Sequence, residues 1–118
     1  MTITLYGIPN CDQVKKARNW LDAHGLAYVF HDFKKAGVSP ALIQHWLHHV
    51  GWELLLNRKG TTWRAVPDAR KADIVDAQSA IALMLESPSI IKRPVLVTQS
   101  TVHLGFSDDT YQQIFKTQ

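Results

Sequence analysis

A chain of 118 residues lies within the range of one globular domain and can bury enough apolar surface to fold without disulfides or a structural metal. Hydrophobic residues at 46% and charged residues at 19% exclude a disordered chain, and no apolar run approaches the ~18 residues of a membrane span. The net charge of +3 is dispersed, with no Lys/Arg run longer than two, which argues against a direct nucleic-acid surface.

"TITLY" (2–6) places Ile3 and Leu5 on one face and predicts a short strand. "GIPN" is a loop by its Gly, Pro and Asn. From Asp12 to about His24 the periodicity is helical, with Val14, Ala17, Trp20 and Leu21 on one side and Lys15, Asn19 and Asp22 on the other. Gly25 supplies the stop, and "AYVFHDF" (27–33) predicts a second strand, parallel to the first across this crossover. In "SPALIQHWLHHVG" (39–51), Ser39 is the expected N-cap and Pro40 the first helical residue, over a buried face of Leu42, Ile43, Trp46, Leu47 and Val50.

"WELLLNRKGTTWR" (52–64) predicts a short helix followed by a turn at Gly60. A long helix is expected from about Asp68 to Ser87, with Ile74, Ala77, Ile81 and Leu85 in register and Pro88 ending it. "PVLVT" (94–98) and "VHLGF" (102–106) form a predicted hairpin, after which Ser107 caps a terminal helix holding Tyr111, Ile114 and Phe115. The order is β-α-β, a helical block, then β-β-α. No linker or repeat interrupts it, so one domain spanning 1–118 is expected, with the helical insertion at about 36–90.

The N-terminus "MTITLYGIPN" lacks the pattern of a secretory signal, and one cysteine excludes an intramolecular disulfide. Both point to the reducing cytoplasm. That cysteine, Cys11, stands just ahead of a helix, where unpaired amides and the helix dipole favour an anion and lower a thiol pKa. Lys15 lies one turn further and Arg18 about two, on the same side. Cys11 is thus a working nucleophile or a buried structural thiol; exposure through Gly7, Pro9 and Asn10 favours the first. "DQV" after it lacks the second thiol of C-x-x-C, so any disulfide forms with a partner.

Arg93–Pro94 alone reads as an ordinary trans bond with a solvated arginine. "NRKGTTWR" (57–64) gathers Arg58, Lys59 and Arg64 around Gly60, as an anion-binding loop or a polar turn. His45, His48 and His49 have a spacing that could hold zinc, but they fall opposite the apolar stripe and no second ligand cluster accompanies them. No metal is expected.

The segments "YGIPNCDQVKKARNWLDAHG", "LLNRKGTTWR" and "IIKRPVLV" resemble, in order over the whole chain, the arsenate reductase (ArsC)/Spx family, most closely its YffB-like branch. The resemblance implies a thioredoxin-like fold with an inserted helical block. It places the family's nucleophile on Cys11 and its Arg-Pro pair on Arg93 and Pro94, the bond cis and Arg93 aimed at the thiolate or a bound anion. It places the middle basic position on Arg58, in a register that leaves Asn57 and Lys59 open.

Two departures matter. Arsenate reductases of this family resemble a three-arginine oxyanion site, yet no arginine follows Arg93. Spx-type regulators, which contact RNA polymerase, carry a C-x-x-C switch where this chain has Val14. The resemblance therefore implies a monothiol reductase that uses glutathione as co-substrate, engages glutathione or a thiol protein, and needs no bound cofactor. Asn10, Lys15, Arg58, Arg64 and Pro94 are the expected ligand contacts. Arsenate reduction and an RNA polymerase contact stand as alternatives, and a monomer without membrane association is expected.

Overall fold

The computed structural model describes residues 2–116. In chain order the elements are β1 (Thr4–Gly7), α1 (Asp12–Ala23), β2 (Val29–Asp32), α2 (Phe33–Ala36), α3 (Pro40–Leu47), α4 (Trp52–Leu55), α5 (Thr61–Arg64), α6 (Asp68–Ala72), α7 (Ala77–Glu86), a 3-10 turn (Pro88–Ile90), β3 (Val95–Val97), β4 (Val102–Leu104) and α8 (Asp108–Phe115). They form two compact units, one built from residues up to 32 together with those from 93 onward, the other from residues 33–92.

In the first unit the sheet order is β2-β1-β3-β4, with β1 and β2 parallel and the other two pairings antiparallel. Leu5 stands opposite Phe30 on one side and Leu96 on the other. Ile3, Leu5 and Leu96 pack with Ala17, Trp20 and Leu21 of α1 and with Tyr111 and Phe115 of α8. The expected apolar face of α1 is the buried one. Its C-terminus closes as a Schellman motif: Leu26 N–H donates to Leu21 C=O, Gly25 N–H donates to Asp22 C=O, and Gly25 takes φ +66. This β-α-β followed by β-β-α is a thioredoxin-like arrangement.

The second unit is helical. Ser39 Oγ accepts from Leu42 N–H and Pro40 opens α3, which buries Ile43 and Trp46. Leu56 and Ile91 form an isolated bridge, flanked by Asn57 N–H to Ile90 C=O and Lys92 N–H to Leu55 C=O, both at 2.8 Å.

Three local expectations are corrected. The second strand ends at Asp32, and Phe33 instead begins a helical turn and is buried. The Gly60 turn continues into a short helix, α5. The single long helix expected over 68–87 is two, because Asp76 adopts extended backbone and starts a new helix. Its carboxylate accepts from Ser79 N–H at 2.9 Å while Ser79 Oγ accepts from Asp76 N–H at 3.2 Å, a reciprocal cap. Among the described residues no helix is long and apolar enough to cross a membrane.

Candidate functional site around Cys11

Cys11 is the N-cap of α1, with φ −102 and ψ 128. Its N–H donates to Ile8 C=O at 3.3 Å, closing the loop, and its C=O accepts the first helical hydrogen bond from Lys15 N–H at 2.9 Å. The turn is tight because β1 ends directly against α1. Gly7 is buried, and a β-carbon there would lie 2.7 Å from Val14 Cγ2. Val14 is fully buried, so the position of a second thiol in a C-x-x-C helix is here a packed hydrocarbon.

Cys11 is half-buried. Partial burial pushes its pKa up, but donation from Val14 N–H, from the Arg93 side chain and from Gln13 N–H, together with the Arg93 charge, outweighs that and holds the thiol below its ordinary value. The sulfur makes no conventional N-cap hydrogen bond, as suits a poor acceptor; the amides act on the thiolate. The structure therefore brings Cys11 and Arg93 together.

Arg93 reaches this position through a cis bond to Pro94. Pro94 is buried and precedes β3. Its C=O accepts from Gly105 N–H at 2.9 Å, and Gly105 has φ +76, so the carbonyl at Pro94 is already engaged within the hairpin. Asn10 is exposed beside Cys11, and Lys15 is exposed one turn along α1.

Arg18 departs from expectation. It does not turn its charge on the thiol: Nε donates to the Tyr28 hydroxyl at 3.1 Å and the guanidinium lies 4.2 Å from the Phe30 ring centroid. Tyr28 and Phe30 were not singled out in the sequence. The available signal was period-two spacing, which sets both on one face of the segment that leads into and forms β2. Arg18, Lys15, Pro9, Asn19 and Asp22 line a depression of about 370 Å³ on the outer face of α1.

Arg58 and Arg64 belong to the second unit. The Arg58 guanidinium lies 5.4 Å from the Trp52 ring centroid and 5.9 Å from that of Trp63. Arg64 Nη2 donates to Lys59 C=O at 3.2 Å, and Lys59 N–H donates to Asn57 Oδ1 at 3.2 Å. His45, His48 and His49 are exposed, and among the described residues no three His, Cys, Asp or Glu are grouped as a metal site.

Comparison with known proteins places this geometry in a family. A Haemophilus influenzae protein is 35% identical over 113 residues, covering 96% of this chain and 98% of its own. The global transcriptional regulator Spx of Streptococcus agalactiae is 26% identical over 109 residues, 91% of this chain and 78% of that relative. Among solved structures, a YFFB protein superposes with a TM-score of 0.90 at 48% identity, covering 95% of this chain and 97% of that one. An arsenate reductase (ArsC) related protein from Brucella melitensis gives 0.77 at 48% identity, covering 98% and 96%. The ArsC family matches residues 6–114, and the chain belongs to it.

Proposed function

We propose that this chain is a glutathione-dependent monothiol reductase with Cys11 as its nucleophile. The observation that carries this reading is a thiol whose anion is favoured by the α1 amides and Arg93, in a chain with no second cysteine. Buried Val14 stands where an internal resolving thiol would have to be.

In the proposed cycle, Cys11 thiolate attacks the glutathione sulfur of a glutathionylated substrate thiol. A Cys11–S–S–G bond forms, the substrate S–S bond breaks, and the departing thiolate takes a proton from solvent. A free glutathione thiolate then attacks the glutathione sulfur of that mixed disulfide, freeing Cys11 thiolate and leaving oxidised glutathione. Overall the substrate is released as a thiol, one free glutathione thiol is consumed, and oxidised glutathione takes one half from the substrate and the other from that free thiol. Arg93 holds the sulfur anionic before attack and after release, which helps Cys11 both as nucleophile and as leaving group.

Arsenate reduction fits less well. A thiolate-bound oxyanion dianion needs several charge-assisted contacts, each worth about 1.5–3 kcal/mol, and no arginine follows Arg93 to supply another. The similarity to global transcriptional regulators favours a second reading, a regulatory contact with RNA polymerase that does not use the thiol.

Incubation of the reduced protein with oxidised glutathione, followed by intact-mass measurement, tests the proposal. A single glutathione adduct is expected, removed by added glutathione and absent from Cys11→Ser. Turnover of arsenate without any adduct would replace the reading with an oxyanion enzyme. RNA polymerase co-purifying with both wild type and Cys11→Ser, again without an adduct, would replace it with the regulatory one.

A further inference from the structure

We infer that the depression on the outer face of α1 seats a carboxylate of the glutathione engaged by Cys11, with Arg18 as its specific contact and Lys15 as a second cation. The inference rests on the reductase reading above and assigns that reading a subsite.

Cys11, Lys15, Arg18 and Asp22 follow one another at i, i+4, i+7 and i+11, so they form a single stripe along α1. At about 1.5 Å per residue, the backbone of Lys15 lies about 6 Å and that of Arg18 about 10 Å along the axis from that of Cys11. That is within reach of a carboxylate at the end of a tripeptide tethered through its own sulfur. The depression of about 370 Å³ is at the small end of ligand sites, of about 300–1,000 Å³.

The state of Arg18 makes this stripe more than a solvated helix face. Its Nε is committed to Tyr28 and its guanidinium carbon lies over the Phe30 ring, so two contacts position the group without any ligand. Its Nη1 and Nη2 donors have no partner among the described residues. Asp22, one turn further on, is well placed in sequence to neutralise it but forms no ion pair with it. A positioned guanidinium with its fork unused suits bidentate recognition of a carboxylate.

The test uses the intact protein and S-methylglutathione, which carries both carboxylates but cannot exchange. Binding is followed by NMR titration for wild type, Arg18→Gln and Lys15→Gln. Arg18→Gln is expected to bind about tenfold more weakly, a loss of about 1.4 kcal/mol, and Lys15→Gln less tightly than wild type. In parallel, thiolation of Cys11 by oxidised glutathione is compared with thiolation by uncharged 2-hydroxyethyl disulfide. Arg18→Gln should lower the ratio of the two rates about tenfold.

Unchanged binding in both variants, or an unchanged rate ratio, would overturn the subsite, as would a wild type that does not bind S-methylglutathione. If Arg18→Gln fails to fold, Lys15→Gln, an exposed substitution, decides the matter. Arg18-dependent binding without any mixed disulfide would leave the subsite standing and remove the reductase reading.

Discussion

A β-carbon on Gly7 would stand 2.7 Å from Cγ2 of Val14, so the end of β1 and the first turn of α1 are in contact at the point where the chain turns to present Cys11. Such a distance cannot be accommodated without moving Val14, which is fully buried and has little room. Gly7→Ala is expected to destabilise the protein by about 1–3 kcal/mol, the range for overpacking a tight interior. Adding Val14→Ala removes the offending methyls and should recover part of the loss, giving a favourable coupling in a double-mutant cycle read by urea unfolding. Additive losses would show that the two residues do not constrain each other.

Val14 also decides how a disulfide at Cys11 is resolved. Val14→Cys restores the C-x-x-C spacing at the cost of a small volume change, so the fold should survive. After oxidised glutathione, this variant is expected to lose the glutathione adduct by internal attack and to finish with a mass lower by two hydrogens. Wild type should keep the adduct until external thiol is added. Persistence of the adduct in Val14→Cys would mean that the buried side chain at this position cannot reach Cys11.

Much of this arrangement was legible from residue types whose roles are local. Ser39, Pro40, Gly25 and Ser107 mark helix ends by their own backbone chemistry, and the structure uses each one there. The apolar stripe of α1 was equally readable, since a helix period needs no tertiary knowledge. The break before α7 was missed although Asp76 and Ser79 carry the signal, because an apolar pattern that stays in register masks a cap inside it. Arg18 could not be read locally at all. Its place depends on Tyr28 and Phe30, which come alongside only once β2 has paired with β1. The geometry of Arg93–Pro94 likewise depends on the neighbours, and the residues alone favoured the wrong isomer; the family resemblance pointed to the cis bond observed.

Arg93 should set the pH dependence of Cys11 chemistry. Because the folded thiol pKa is held below its ordinary value, alkylation by iodoacetamide should reach half-maximal rate below the free-thiol value of about 8.5. Arg93→Gln removes a positive charge and a charge-assisted donor, so the midpoint should move up and alkylation at neutral pH should slow. Arg93→Lys should fall between. The linkage has a matching sign. Between the lowered folded pKa and the unfolded one, the unfolded chain binds more protons, so stability rises with pH in that window and is lost as pH falls through the folded value. Cys11→Ser should flatten that part of the stability profile. An unmoved midpoint in Arg93→Gln would assign the lowered pKa to the amides of Val14 and Gln13 alone.

Asp108 ties the last helix to the first. Trp20 Nε1 donates to Asp108 Oδ1 at 2.6 Å, and the Trp20 ring is packed edge-on to Tyr111 at 5.4 Å and stacked on His24 at 3.7 Å. Trp20 is 7% exposed, so losing its acceptor strands an N–H with little access to water. Asp108 also opens α8, where a carboxylate meets the positive end of the helix dipole. Asp108→Ala is expected to destabilise by about 1–3 kcal/mol, while Asp108→Asn keeps an acceptor and should lose less. In Trp20→Phe the donor itself is gone, so adding Asp108→Ala to that background should have a much smaller effect than in wild type. Equal effects of Asp108→Ala in the two backgrounds, measured by thermal unfolding, would show that the carboxylate acts on α8 alone and not through the indole.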